Sequence, residues 1–218
     1  MELHRQYSDT KEVKHCTFKV FLFTSILFCT VFSQVSAYMV KYKEDYYHLY
    51  HVHYQQYPDD CIENIYWLER AVRADFRNPL YADAKIETTQ QWEKYRYLYM
   101  MHLNLKLTEQ HMRLGSVYDK KVAYFYDAPW KDEYLSNLEK AKSCYEAGLV
   151  YWQEAKLWAE KANATGYTFL FITAMQYQED ERERIKTGEL DYAKTLTREL
   201  TRVQKVIDTF VAMESKNY

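Results

Sequence analysis

Two rows of residues spaced seven apart constrain the fold of this chain more than any other feature. Residues at this spacing share one face of an α-helix, so the pattern predicts a helix from about Lys131 to Ala162. One row is mostly large and the row beside it is small, which allows a second helix to pack closely. The large row is Leu138, Tyr145, Trp152 and Ala159, and the small row is Ala141, Gly148, Ala155 and Ala162.

Glycine and proline are scarce, with only four and three among 218 residues. A β-sandwich or barrel needs many tight turns and normally uses more of both. The hydrophobic content of 48% excludes a wholly disordered chain. We therefore predict an all-α fold of long antiparallel helices with few connections.

Similar patterns predict the other helices. Tyr47, Tyr50, Tyr54 and Tyr57 repeat at intervals of three and four, which indicates a helix from about Met39 to Tyr57, ended by Pro58. A second helix starts after the capping residue Asp60. We expect a third to start after Thr88 or Thr89, and either to break at Gly115 or to continue to Tyr126. The apolar side of the second helix is Ile62, Ile65, Leu68 and Val72.

The last two predicted helices differ in character. One runs from Tyr167 to about Lys186, starts apolar and ends in a run of six charged residues at 179–184, which we expect to be a solvated end. The final helix has a single apolar side, formed by Leu196, Leu200, Val203, Ile207 and Phe210.

Residues 1–37 have the pattern of a signal peptide. Basic residues precede an apolar run at 20–32, and Val35-Ser36-Ala37 matches the small-residue cleavage rule. The run would span roughly 20 Å as a helix, which is short for a bilayer. We expect cleavage after Ala37, export to the periplasm and a single helical domain at 38–218. A retained signal anchor, or a lipoprotein modified at Cys29, remains open.

Charge and chemistry narrow the possible partners. The net charge is -2 without a basic block, which argues against nucleic acid. No apolar stretch after residue 37 is long enough to cross a membrane.

Cys61 and Cys144 could pair in an oxidising compartment or remain free as small apolar residues. The 23 tyrosines suit interfaces, because the side chain combines a large apolar area with a hydroxyl.

No catalytic, cofactor or metal motif stands out. Glu44, His48 and His51 share one helical face, with His53 nearby, and could in principle bind a transition metal. A fourth ligand is not evident, so we predict no metal, no cofactor and no catalytic residues.

The stretch from Asn64 to Ala82 resembles the second helix and exit of a tetratricopeptide repeat. Leu68, Ala71, Asp75, Asn78 and Pro79 have the spacing of that family. Asn64 departs from the usual small residue and Phe76 from the turn proline. The resemblance implies tetratricopeptide-like helical hairpins.

A wider resemblance covers most of residues 40 to 200. The segments 78–82, 92–98, 102–107 and 124–130 are similar to those of small exported spirochaete proteins with a tetratricopeptide-like fold. Members of that family are associated with the collar around the periplasmic flagellar motor. The resemblance implies a structural scaffold that binds periplasmic motor or envelope proteins, and carries over no catalytic residue.

These expectations select candidate residues. Partner segments would dock on an exposed aromatic groove, and helix packing would depend on a second set of residues. The alternative is a periplasmic small-molecule-binding or transport-accessory protein, which an enclosed apolar cavity lined by aromatic residues would favour. The groove candidates are Tyr46, Tyr50, Trp92, Tyr99 and Trp130, and the packing candidates are Leu68, Ala71, Pro79, Ala141, Gly148 and Ala155.

Overall fold

Six α-helices make up most of the computed structural model, which describes residues 39–119, 131–170 and 173–213. A short 3-10 turn, Pro79–Tyr81, lies between the second and third helices. The described residues therefore confirm the all-α prediction, whereas the tetratricopeptide-like hairpins stay a prediction. In chain order the helices are α1 (Lys43–Gln56), α2 (Cys61–Arg73), α3 (Thr89–Tyr118), α4 (Lys131–Ala164), α5 (Thr173–Thr187) and α6 (Tyr192–Ala212).

Two helix starts depend on the predicted caps. The Asp60 side chain accepts a hydrogen bond from the backbone N–H of Glu63 at 3.1 Å. Thr88 Oγ1 accepts from the backbone N–H of Gln91 at 3.2 Å, and the Gln91 side chain accepts from that of Thr88 at 3.1 Å. This reciprocal pair is a capping box. Gly115 does not break α3, which continues to Tyr118; the predicted extension to Tyr126 lies outside the described residues.

The long helices α3 and α4 pack antiparallel. Lys94 near the start of α3 donates to the carbonyl of Ala162 near the end of α4, and Gly115 near the end of α3 faces the ring of Tyr145. The two seven-residue rows of α4 lie in the interior. All eight of their members are buried: Leu138, Tyr145, Trp152, Ala159, Ala141, Gly148, Ala155 and Ala162.

Gly148 and Gly115 both lie where helices approach closely. A Cβ atom placed on Gly148 would lie 3.3 Å from Leu196 of α6 and 3.5 Å from His111 of α3. A Cβ atom on Gly115 would lie only 2.5 Å from the Tyr145 ring. The close approach of α3 and α4 therefore depends on Gly115, and Gly148 allows α6 to pack against α4.

Two apolar clusters lie on either side of this helix pair. One joins α1, α2 and the first part of α3 to the end of α4, and includes Leu68, Ala71, Tyr95 and Tyr99. The other joins α4 to α6 and includes Trp152, Leu196, Val203 and Phe210.

The apolar side predicted for α2 is partly wrong. Ile62 is 64% exposed, and Asn64 is buried instead. Its side-chain N–H donates to the carbonyl of Tyr57 at 3.3 Å, and its carbonyl lies 3.0 Å from Nδ1 of His53. A polar side chain at this position therefore stabilises the connection between α1 and α2.

Pro79 lies half-buried at the start of the 3-10 turn, outside both apolar clusters. The turn is capped by Asn78, whose side chain accepts a hydrogen bond from the backbone N–H of Leu80 at 3.0 Å. Phe76, which replaces the expected turn proline, packs edge-on against Trp92, Tyr95 and Tyr99. The predicted signal peptide at 1–37 lies outside the described residues.

Candidate functional site

Tyr47, His102 and Glu181 form a hydrogen-bonded chain between α1, α3 and α5. Tyr47 Oη lies 2.6 Å from Nε2 of His102, and Nδ1 of His102 lies 2.5 Å from Oε2 of Glu181. Lys106 Nζ lies 3.5 Å from the other oxygen of Glu181 and 2.9 Å from Glu109. The side chains of His102 and Glu181 are only 2% and 5% exposed. These contacts tie three helices together in the interior.

The protonation of this chain follows from its surroundings. Burial raises the pKa of Tyr47 to about 12, so its hydroxyl is protonated at neutral pH and can donate to Nε2 of His102. A neutral His102 would then carry its proton on Nδ1 and donate it to Glu181. Burial alone would lower the pKa of Lys106, but Glu109 and Glu181 raise it overall, so Lys106 stays charged.

A tyrosine, a histidine and a carboxylate in series resemble a proton relay. Here their polar atoms satisfy one another, and the side chains of His102 and Glu181 are almost completely shielded from solvent. The arrangement has the properties of a structural network.

A second set of buried charges lies where α3, α4 and α5 meet. Lys94 Nζ is 3.2 Å from Glu179, which also accepts from Arg182 at 2.6 Å and from the backbone N–H of Phe169 at 3.1 Å. Burial lowers the pKa of Lys94. The prediction that residues 179–184 form a solvated end is wrong for Glu179 and Glu181, because they face the cations of α3.

The aromatic residues expected to line a groove are distributed differently. Tyr50 and Tyr99 are 3% and 1% exposed, so that expectation is wrong for both; their rings pack between α1 and α3 next to Tyr47. Trp92 is half-buried and stacks on a neighbouring tyrosine of α3. Trp130 lies outside the described residues.

Tyr46 is half-buried and belongs to a partly exposed apolar surface on α1 and α2. Its ring stacks on Trp67 at 6.5 Å between centroids, and Trp67 contacts Tyr66 edge-on at 4.9 Å. Ile62, one turn before Tyr66, is 64% exposed and Tyr66 is 46% exposed. We call these four residues the α1–α2 aromatic face.

A cleft of about 410 Å³ lies between the exit of α2, the start of α3 and the end of α4. Its walls include the rings of Tyr97 and Trp158, whose centroids are 5.9 Å apart. The Nζ of Lys161 lies 3.8 Å from the centre of the Trp158 ring. We call it the cationic cleft, and its charged residues are Lys43, Asp75, Arg96 and Lys161.

Lys43 in this cleft already has hydrogen-bond partners within the protein. Its Nζ donates to the carbonyls of Ala71 and Val72 at 2.7 Å each, which caps the C-terminal end of α2. Burial lowers the pKa of Lys43 to about 8, although Glu44 and Asp75 act in the opposite direction.

The residues considered above as possible metal ligands do not converge. Glu44 accepts hydrogen bonds from Tyr95 and from the backbone of Arg77 in the interior, while His48 and His51 are exposed. Within the described residues, possible ligand atoms come within 4.8 Å of one another in a different group, His53, Asp60 and Glu63. Asp60 in that group is already the cap of α2.

Cys61 and Cys144 are both free thiols. Burial raises the pKa of each, which disfavours the reactive thiolate.

Sequence reasoning missed the buried charges on α3 and α5. One signal could have found them, since Lys94, His102 and Lys106 occur at multiples of four along α3 and therefore share a helical face. Basic side chains on one buried face of a helix need carboxylates opposite them. The acidic run at 179–184 of α5 could therefore have been predicted to pack against this face of α3.

Comparison with known proteins gives one match. A family model described as a domain of unknown function (DUF8513) matches residues 90–213, more than half of the chain. No curated protein and no solved structure matches the chain. Across 39–119, 131–170 and 173–213, no helix combines the length and the apolar character needed to cross a bilayer.

Proposed function

We propose that this chain, which belongs to the family described as a domain of unknown function (DUF8513), is a periplasmic helical scaffold that binds other proteins. The observation that carries the proposal is the α1–α2 aromatic face. Exposed groups of aromatic and aliphatic side chains mark protein interfaces, and tyrosine and tryptophan contribute most to binding energy there. The face lies before residue 90, so it belongs to the part of the chain that the family model does not match.

The buried charge networks support a rigid scaffold. His102 and Lys106 on α3 contact Glu181 of α5. Lys94, nearer the start of α3, contacts Glu179 of α5. Such pairs strongly penalise any motion that would separate the helices, because a buried charge would lose its partner. A scaffold that presents a fixed surface benefits from this rigidity.

The specific role that we propose is a structural component of the flagellar motor collar. The resemblance of the segments at 78–82, 92–98, 102–107 and 124–130 to spirochaete collar proteins supports it, together with the signal-peptide pattern at 1–37. Partner proteins would be other periplasmic components of the collar.

The cationic cleft favours a second candidate, a periplasmic protein that binds a small anionic molecule. Its volume of about 410 Å³ lies within the range of ligand pockets. It is open to solvent and lined by charges, however, unlike the enclosed apolar cavity that a small-molecule carrier would need.

Affinity capture from envelope extracts tests the scaffold proposal. The tagged wild-type protein should recover motor collar components, and the double variant Ile62→Asp/Tyr66→Asp should lose them because charges on the α1–α2 aromatic face would be buried unpaired at the interface. Val211→Asp is the matched control, since Val211 is 66% exposed on α6, which is not part of this face. Recovery of no collar component by the wild type, or equal recovery by the double variant, would overturn the proposal.

A further inference from the structure

We propose that the cationic cleft binds an acidic peptide segment of a partner protein. In this site Arg96 and Lys161 would pair with carboxylates, while the rings of Tyr97 and Trp158 would contact an adjacent apolar side chain. The inference rests on the proposed scaffold function and adds a second docking site to it, separate from the α1–α2 aromatic face.

The charge balance of the cleft favours an anion. Lys43 is held by two backbone carbonyls and faces Asp75, which offsets its charge. Arg96 and Lys161 remain, and within the described residues no carboxylate lies within salt-bridge distance of either. Two cations that share one cleft without a carboxylate partner leave a net positive site.

Arg96 is incompletely satisfied in the free protein. Its Nε is buried without a hydrogen-bond partner, and its guanidinium lies over the ring of Trp92 at 5.6 Å. A charged donor left unpaired is unfavourable. A carboxylate is the natural partner, because the guanidinium fork can bind both of its oxygens at once.

The shape of the cleft and its aromatic wall favour a peptide over a free anion. Tyr97 and Trp158 form an apolar surface beside the cations, and a segment that alternates acidic and apolar side chains would contact both.

Selection from a displayed library of random decapeptides tests the inference, because the protein itself then chooses the ligand. We expect enrichment of Asp or Glu next to Leu, Phe or Trp. The best selected peptide, made synthetically with a fluorescent label, should bind Arg96→Ala and Lys161→Ala each about ten- to a hundredfold more weakly than the wild type, as expected for one lost hydrogen bond between charged groups. Lys156→Ala is the matched control, since Lys156 is an exposed lysine of α4 outside the cleft, and should bind like the wild type.

The inference would be overturned by selection of no peptide or by enrichment of peptides without acidic residues. It would also be overturned if the Arg96→Ala and Lys161→Ala variants bound the peptide as tightly as the wild type. Displacement of the acidic probe by micromolar inorganic phosphate would also contradict it and would indicate a small-anion site. The outcome is separable from the scaffold proposal. Failure of the peptide test, while the wild-type protein still captures collar components, would refute only the cleft, whereas peptide binding without any captured component would refute only the collar role.

Discussion

Gly115 gives the sharpest test of how α3 and α4 pack. A Cβ atom at this position would lie 2.5 Å from Cε1 and 2.8 Å from Cδ1 of the Tyr145 ring. The ring is 3% exposed, and its hydroxyl donates to Asp119 at 3.0 Å. Ordinary carbon contacts need about 3.5–4.0 Å, so Gly115→Ala requires the ring or a helix to move by about 1 Å. Overpacking of this kind costs about 1–3 kcal/mol.

Gly148→Ala is the matched control for this variant. Its Cβ atom would lie 3.3 Å from Cδ2 of Leu196, and a terminal methyl group can shift by a few tenths of an ångström. Both substitutions gain up to about 1 kcal/mol because alanine favours a helix over glycine. That gain is shared, so the difference between the two variants isolates the steric cost at Tyr145. We expect Gly148→Ala to be about as stable as the wild type or more stable.

Thermal unfolding followed by circular dichroism measures this difference. A domain of this size changes its Tm by about 2–4 °C per kcal/mol, so the Tm of Gly115→Ala should lie about 2–12 °C below that of Gly148→Ala. Equal midpoints, or a higher midpoint for Gly115→Ala, would refute the inferred contact between Gly115 and Tyr145.

Three other predictions concern the buried charges and the helix caps. Glu181→Gln should lower the free energy of unfolding by about 3 kcal/mol in urea titrations, because it removes the buried carboxylate that accepts from His102 and pairs with Lys106. Glu183→Gln, about half exposed, should change this free energy little, and equal effects of the two variants would contradict the burial of Glu181. The folded-state pKa of Lys43, about 8, is lower than its ordinary value of 10.5, so the unfolded chain binds more protons between these pH values. The stability of the wild type relative to Lys43→Met should therefore rise between pH 8 and 10.5. A stability difference that stays constant over that window would refute the lowered pKa. Thr88→Ala should cost about 1 kcal/mol by removing the cap of α3, whereas Thr89→Ala, one residue inside the helix, should be nearly neutral in the same assay.

The helices could be predicted because their signals are local. The caps at Asp60 and Thr88 use side chains that bond to backbone groups three residues away. The two rows of α4 are buried because a seven-residue repeat keeps them on one face. Neither signal requires knowledge of what lies opposite.

The candidate sites were harder to predict because they depend on which helices meet. Tyrosine is common at interfaces, but the side chains of Tyr50 and Tyr99 are buried between α1 and α3 in the core. Glu181 belongs to a run of charges that is normally solvated, and only the proximity of His102 and Lys106 explains its burial. The cationic cleft combines residues from four separate segments, so no local pattern could indicate it.

Electron cryotomography of flagellar motors in a strain of the source organism that lacks this chain tests the central claim most directly. We expect the periplasmic collar to lose density, and the wild-type chain to restore it where Ile62→Asp/Tyr66→Asp does not. An intact collar in the deletion strain would contradict a structural role for this protein in the motor.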